Sequence, residues 1–151
     1  MKVQEVMTRQ PICCLLQDTA KSVARLLREE DIGSMPVISD TSSRRLVGII
    51  TDRDLVCRIV SEGFDPSTTV IEAFITHDPV ACRPEQSLES CERLMQVHRI
   101  RRIPVVDREG RCIGILSQAD VARFAQAERV QKTIIEISRR VEVIIPPATA
   151  A

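Results

Sequence analysis

Two short phrases carry the residues best suited to chemistry. Thr51-Asp-Arg-Asp54 and Ser117-Gln-Ala-Asp120 each place a hydroxyl three residues ahead of an aspartate, and each follows a Gly and two apolar residues, Gly48-Ile-Ile and Gly114-Ile-Leu. At a helix start this spacing has two uses. It is close to a capping box, with the hydroxyl accepting from an exposed backbone N–H and the carboxylate suiting the positive end of the helix dipole. The same atoms can also receive a ligand. Free helix-start amides and a hydroxyl suit a phosphate, and an aspartate one turn in can accept from both hydroxyls of a ribose. The apolar strands ahead of them offer an aliphatic slot for a base. Gly48 and Gly114 lie inside strands, where glycine weakens the ladder unless a ligand or the opposite sheet must come close.

Little else in the chain points to catalysis. Six cysteines (13, 14, 57, 82, 91 and 112) form no C-x-x-C pair and no Cys/His zinc spacing. They read as reduced thiols acting as small apolar residues, with Cys13 and Cys14 on opposite faces of a strand. His77 and His98 have no ligand-type neighbours at useful spacing, so no metal site is expected. No nucleophile–base pair is evident, and the chain reads as a non-enzyme.

Composition bounds the partners. The chain has 151 residues, with Lys+Arg and Asp+Glu both 21, so bulk positive charge cannot hold a nucleic acid. It has three Phe and neither Trp nor Tyr, which further argues against stacking on bases. The start lacks an apolar signal run, and no stretch approaches the roughly 18 apolar residues of a membrane span. A cytoplasmic protein is the expectation.

The elements that must position the two phrases are themselves written twice. Pro11-Ile12 returns as Pro79-Val80, and Ile32-Gly-Ser-Met-Pro-Val-Ile as Ile100-Arg-Arg-Ile-Pro-Val-Val, 68 positions on. The glycine phrase lies 66 on, because the loop Asp40–Arg45 carries two extra residues. Each half reads as a strand (Ile12–Leu15; Val80–Arg83), a helix, a second strand (Met35–Ser39; Ile103–Asp107), a third strand (Leu46–Ile50; Cys112–Leu116) and a closing helix. Thr19 and Ser87 suit N-caps, Gly33 and Gly63 helix stops, and Pro36 and Pro104 an edge or opening position. The apolar third strands predict cover on both faces. The fold class is therefore α/β (α+β): two β-α-β-β-α repeats packed through their sheets about a pseudo-two-fold axis. The expected domains are residues 3–62 and 70–126, joined by a 63–69 linker.

Beyond them, a helix over 127–144 is expected, with Val130, Ile134, Ile137 and Val141 as an apolar seam. It packs on its own module or meets a second subunit. Residues 145–151 should fray.

In combination, VMT-x-x-P-I, IGSMPVI and LVGIITDRDL, followed by T-x-x-P-V, IRRIPVV and CIGILSQADV, resemble a tandem pair of CBS domains over about residues 3–126. The resemblance implies two clefts between the halves that take AMP, ADP, ATP, NAD or S-adenosylmethionine. Carried onto this sequence it nominates Thr51 with Asp54 and Ser117 with Asp120. It also nominates Arg101 and Arg102, just ahead of a strand proline, as phosphate contacts. These two arginines read equally as helix-end charge beside Arg99. Their counterparts in the first repeat are Gly33 and Ser34, so the clefts should differ in phosphate affinity.

The resemblance implies a stand-alone regulatory module that binds an adenine nucleotide and acts on an effector protein or on its own homodimer. The alternative is a ligand-free scaffold for dimerisation or protein interaction.

Overall fold

In a computed structural model of the protein, residues 1–139 are described. Its elements follow the duplicated order. The first repeat holds α1 (Val3–Val6), β1 (Thr8–Arg9), β2 (Cys14–Leu15), α2 (Ala20–Glu29), β3 (Ser34–Ile38) and β4 (Leu46–Thr51). Its closing helix, α3, opens at Asp52–Asp54 and winds on as a π-helix over Leu55–Val60. A 3-10 turn at Ile71–Ala73 and β5 (Thr76–His77) begin the second repeat. It continues with α4 (Leu88–His98), β6 (Arg102–Val106), β7 (Cys112–Ser117) and α5 (Gln118–Phe124), and α6 (Ala127–Ser138) follows.

Local signals place these elements well. Thr19 Oγ1 accepts the Ser22 N–H at 3.2 Å and Ser87 Oγ the Ser90 N–H at 3.1 Å, capping α2 and α4. The stop after α2 is Asp31 rather than Gly33. Asp31 takes the left-handed conformation at φ 52°, and Arg99 does the same after α4. The bonds Ile32 N–Leu27 O and Ile100 N–Met95 O then close both ends. Gly63 is left-handed, as expected of a stop. The leading strands are shorter than expected. Only Cys14–Leu15 pairs as a strand, and Val80–Arg83 reduces to a single bridge from Cys82 to Val105.

The two repeats exchange their leading segments. One sheet runs β2-β3-β4-β5 and the other β1-β7-β6, so β5 of the second repeat completes the first sheet and β1 of the first completes the second. Gly48 pairs with His77, and Arg9 with Gly114. The cores follow the exchange. Val3 and Val6 of α1 are buried among Leu88, Cys91, Met95 and Leu116, whereas Ile71 and Ile75 join Val23, Leu27, Met35 and Ile50. Even helix starts are shared: Leu88 N donates to Met1 O, as Ala20 N donates to Thr69 O.

Two strand expectations need correction. β6, with Pro104, is the outer strand of its sheet as expected, but β3 is interior, and Pro36 is tolerated there because β2 pairs only from Val37 onward. The third strands are not covered equally on both faces. Ile50 and Leu116 are fully buried, while Ile49 and Ile115 are half-buried.

Helix α6 packs back on α4, with Ile137 of the expected seam buried and Thr133 and Arg129 joining it in place of Ile134. Thr133 and Ile137 are buried, Gln96 Nε2 donates to Thr133 Oγ1 at 2.8 Å, and Arg129 meets the buried Glu92. Ile134 stays 38% exposed. Val141 and the 145–151 tail lie outside the described residues.

Candidate functional site

Strand β4 delivers Thr51 in extended conformation to the first turn of α3, and β7 delivers Ser117 to α5 in the same way. Both capping boxes are complete. Thr51 Oγ1 accepts from Asp54 N at 3.1 Å, while Thr51 N and Oγ1 both donate to Asp54 Oδ2 at 2.9 Å. In the second copy the matching distances are 3.2, 2.8 and 2.6 Å.

The caps leave little of the helix start free. Asp52 N donates to Gly33 O at 3.0 Å, Arg53 N to Asp52 Oδ1 at 2.7 Å, and Asp54 N to Thr51 Oγ1. The free amides expected to face a phosphate are thus already bonded to protein acceptors. What remains is the second carboxylate oxygen of Asp54, 3.5 Å from Arg58 Nε. Charge for a phosphate must then come from side chains.

Such side chains stand opposite. A cleft of about 810 Å³ opens between the repeats. The first repeat lines it with Gly33, Ser34, Ile49 and Thr51–Asp54, the second with Asp78–Val80, His98–Arg102 and Pro104. Arg53, Arg99, Arg101, Arg102 and Arg139 outnumber Asp52, Asp54 and Asp78, so the cleft favours an anion. Among the described residues neither Arg101 nor Arg102 has a salt-bridge partner. Ile49, Pro79, Val80 and Pro104 form an aliphatic wall. The structure therefore brings Thr51 and Asp54 together with Arg101 and Arg102 across the joint between repeats.

Ser117 and Asp120 do not line this cleft. By the 68-residue repeat, their own flank carries Glu30, Asp31, Gly33 and Ser34 where the first cleft has His98, Arg99, Arg101 and Arg102. Arg101 contributes there only through its backbone, its carbonyl accepting from Gln118 N at 2.8 Å.

Gly48 and Gly114 serve the exchange rather than a ligand. A Cβ on Gly48 would run into Ile75 Cδ1 and stand 2.9 Å from Thr76 O. On Gly114 it would meet Met7 Sδ at 2.5 Å. Gly33 is the glycine that faces the cleft. A Cβ there would lie 3.4 Å from the Arg102 guanidinium and 3.2 Å from Asp52 Oδ2.

Sequence reasoning met Ser34 only as the counterpart of Arg102 and gave it no role of its own. Its hydroxyl is buried on the cleft wall without a hydrogen-bond partner. The available signal was its equivalence to Arg102, one repeat away.

Two exchanged repeats with a charged cleft between them define the class of protein: a tandem-repeat module built around the joint of its halves. The chain belongs to the CBS domain family, whose profile matches residues 3–61 and 70–127. It is 32% identical over 120 residues to Hypoxic response protein 1 of Mycobacterium tuberculosis, spanning 80% of this chain and 82% of that one. A crystal structure of Hypoxic Response Protein I with two coordinated zinc ions superposes with a TM-score of 0.75 at 29% identity, covering 83% of this chain and 100% of the other. CBSX2 of Arabidopsis thaliana in complex with AMP superposes at 0.70 and 29% identity, covering 81% and 93%. Among the described residues of this chain, no group of three or more His, Cys, Asp or Glu is placed to hold a metal ion. No helix among them is long and apolar enough to cross a membrane.

Proposed function

We propose that this protein is a regulatory module, not an enzyme, that holds an adenine nucleotide in the cleft between its repeats. One observation carries the reading: Thr51 and Asp54 of the first repeat share a cleft with Arg101 and Arg102 of the second. The carboxylate of Asp54 takes the ribose hydroxyls, Arg101 and Arg102 take the phosphates, and the base lies against Ile49, Val80 and Pro104. The AMP complex of CBSX2 supports this class of ligand. A ligand that contacts both repeats favours one packing of them over others, and an effector protein can read that difference.

A thermal-shift and calorimetry panel with AMP, ADP, ATP, NAD and S-adenosylmethionine tests the reading. A ligand at 100 times its Kd stabilises the fold by about 2.7 kcal/mol. Absence of a shift with all five would sink it.

A second reading, a scaffold that dimerises, draws on an apolar groove of about 580 Å³ between α5 and α6. Val130, Ile134 and Ile135 line it, and Ile135 is 51% exposed. Its occupant would be a second copy of the chain, and sedimentation with and without nucleotide separates the two readings.

A further inference from the structure

The two loops that join the hairpin strands meet across the pseudo-two-fold axis. Arg45 pairs with Arg111, Leu46 N donates to Gly110 O at 3.0 Å, and Cys112 N donates to Arg44 O at 2.8 Å. Gly110 and Arg44 hold equivalent places, both left-handed, at φ 80° and 51°. Glycine adopts this conformation without cost, and arginine does not. An arginine held there invites the question of what its side chain does.

The guanidinium of Arg44 is clamped on a cysteine. Nη2 lies 3.3 Å from Cys13 Sγ and 3.1 Å from Pro11 O, and Nε lies 3.3 Å from Cys112 O. The one guanidinium thus touches both cysteines, the thiol of Cys13 and the carbonyl of Cys112. Their thiols face the Pro11 and Gly114 carbonyls at 3.3 and 3.6 Å and interact with each other. Cys13 is partly buried and Cys112 is 1% exposed. One repeat away, the equivalents of this pair are Ala81 and Leu46. The arrangement therefore belongs to one side of the molecule and is no requirement of the fold.

We propose that Cys13 and Cys112 are a two-electron redox pair, in which a hydroperoxide oxidises Cys13 and Cys112 resolves it into a disulfide stapling the two repeats together. In the first step the Cys13 thiolate attacks a peroxide oxygen. The S–O bond forms, the O–O bond breaks, and the departing hydroxide takes a proton to leave as water. Sulfur loses two electrons and the peroxide gains them. In the second step the Cys112 sulfur attacks the sulfenic acid. The S–S bond forms, the S–O bond breaks, and the Cys112 proton leaves with the oxygen as a second water. Two thiols and one hydrogen peroxide give one disulfide and two waters.

The electrostatics agree with these roles. Interaction with the Cys112 thiol, opposed by burial and reinforced by the charge of Arg44, holds the Cys13 thiol below its ordinary value. Cys112 is pushed up by that same contact and by burial. The less buried sulfur is thus the readier thiolate, and the fully buried one keeps its proton until Cys13 has reacted. Cys82 and Cys91 also interact, but both are enclosed in the second core, out of reach of an oxidant in solution.

The test treats the full chain with hydrogen peroxide, alkylates the remaining thiols, and maps the peptides by mass. The exposed Cys57 serves as an internal reference thiol. A Cys13–Cys112 cross-linked peptide is expected, with Cys13 consumed at least about tenfold faster than Cys57. In Cys112→Ser, dimedone should trap a sulfenic acid at Cys13. Arg44→Gly, which removes the guanidinium and suits the left-handed backbone, should slow the reaction without unfolding the protein. Oxidation of Cys13 no faster than Cys57, or a disulfide joining any other pair, would overturn the proposal.

Discussion

Arg129 and Glu92 form a two-pronged ion pair, Nε to Oε2 at 3.0 Å and Nη2 to Oε1 at 2.7 Å, that fastens α6 to α4. Glu92 is 2% exposed, so its charge depends on this partner. Arg129→Ala leaves a buried carboxylate unpaired. A loss of about 2–3 kcal/mol is expected, below the roughly 3–5 kcal/mol of a fully buried pair because Arg129 is partly solvated. Adding Glu92→Gln to that variant should recover part of the loss. Urea denaturation checks both, and additive losses would refute the coupling.

The exchange of leading strands predicts unequal costs for two alanine substitutions. Gly48→Ala forces its methyl against Ile75 in the core and the Thr76 carbonyl, and overpacking of this kind costs about 1–3 kcal/mol. Gly114→Ala meets the pliable thioether of Met7, with Thr8 O at 3.1 Å, and should cost less. The order of the two urea midpoints is the measurement, and the reverse order would contradict the packing.

Asp54 and Asp120 cap their helices in the same way, so removing either side chain should cost about 1 kcal/mol of stability. Binding should separate them. Asp54→Ala is expected to weaken nucleotide binding by at least about tenfold, the loss of one charged hydrogen bond, whereas Asp120→Ala retains affinity at the arginine-lined cleft. Calorimetry on both variants decides, and the opposite result would move the site to the second cleft.

Replacing Arg101 and Arg102 by Gly and Ser, the residues of the first repeat, should leave the fold intact. Affinity for ADP and ATP should fall by roughly 10–100-fold, since hydrogen bonds to charged groups contribute about 1.5–3 kcal/mol. The salt dependence of binding should fall with it. Unchanged affinity and salt dependence would remove these arginines from the site.

Asp40 organises the longer hairpin loop. The hydroxyl and amide of Ser43 lead a set of bonds, joined by Ser39 and Ser42, that holds its carboxyl down to about 2. A depressed folded value means the contribution is present above the ordinary value of 3.8 and is lost as pH falls through about 2. Acid unfolding of Asp40→Asn should therefore be less steep than that of the wild type between pH 4 and 2. Identical profiles would show that the loop bonds do not couple to folding.

Much of the fold was legible because it rests on local bonds. Thr19 and Ser87 cap their helices through an amide three residues on, and Thr51–Asp54 and Ser117–Asp120 close on themselves within one turn. Residue type and spacing suffice to specify such contacts. Where the reading failed, a local rule met a nonlocal competitor. Gly33 looked like a helix stop, yet Asp31 and Arg99 take that conformation, and Gly33 instead leaves room for Arg102. The expected seam of α6 kept Ile137 but gave way to Thr133 and Arg129 elsewhere, because polar partners, Gln96 and the buried Glu92, waited on α4. The amides at the start of α3 looked open to a phosphate, and a carbonyl, a carboxylate and the Thr51 hydroxyl filled them.

The sequence by itself determined that the chain is one unit written twice, where each copy caps and turns, and that the copies differ at Gly33-Ser34 and Arg101-Arg102. Only the tertiary structure decided which copy completes which sheet. Thr8-Arg9 and Thr76-His77 are near-equivalent strands facing near-equivalent edges, so spacing and hydropathy cannot say whether each stays at home or crosses. Chain closure and the fit of Val3 and Ile71 into the opposite cores settle that choice. From it follow the glycines at the crossings, the cleft that joins Asp54 to Arg101 and Arg102, and the meeting of Cys13 with Cys112 across 99 residues of sequence.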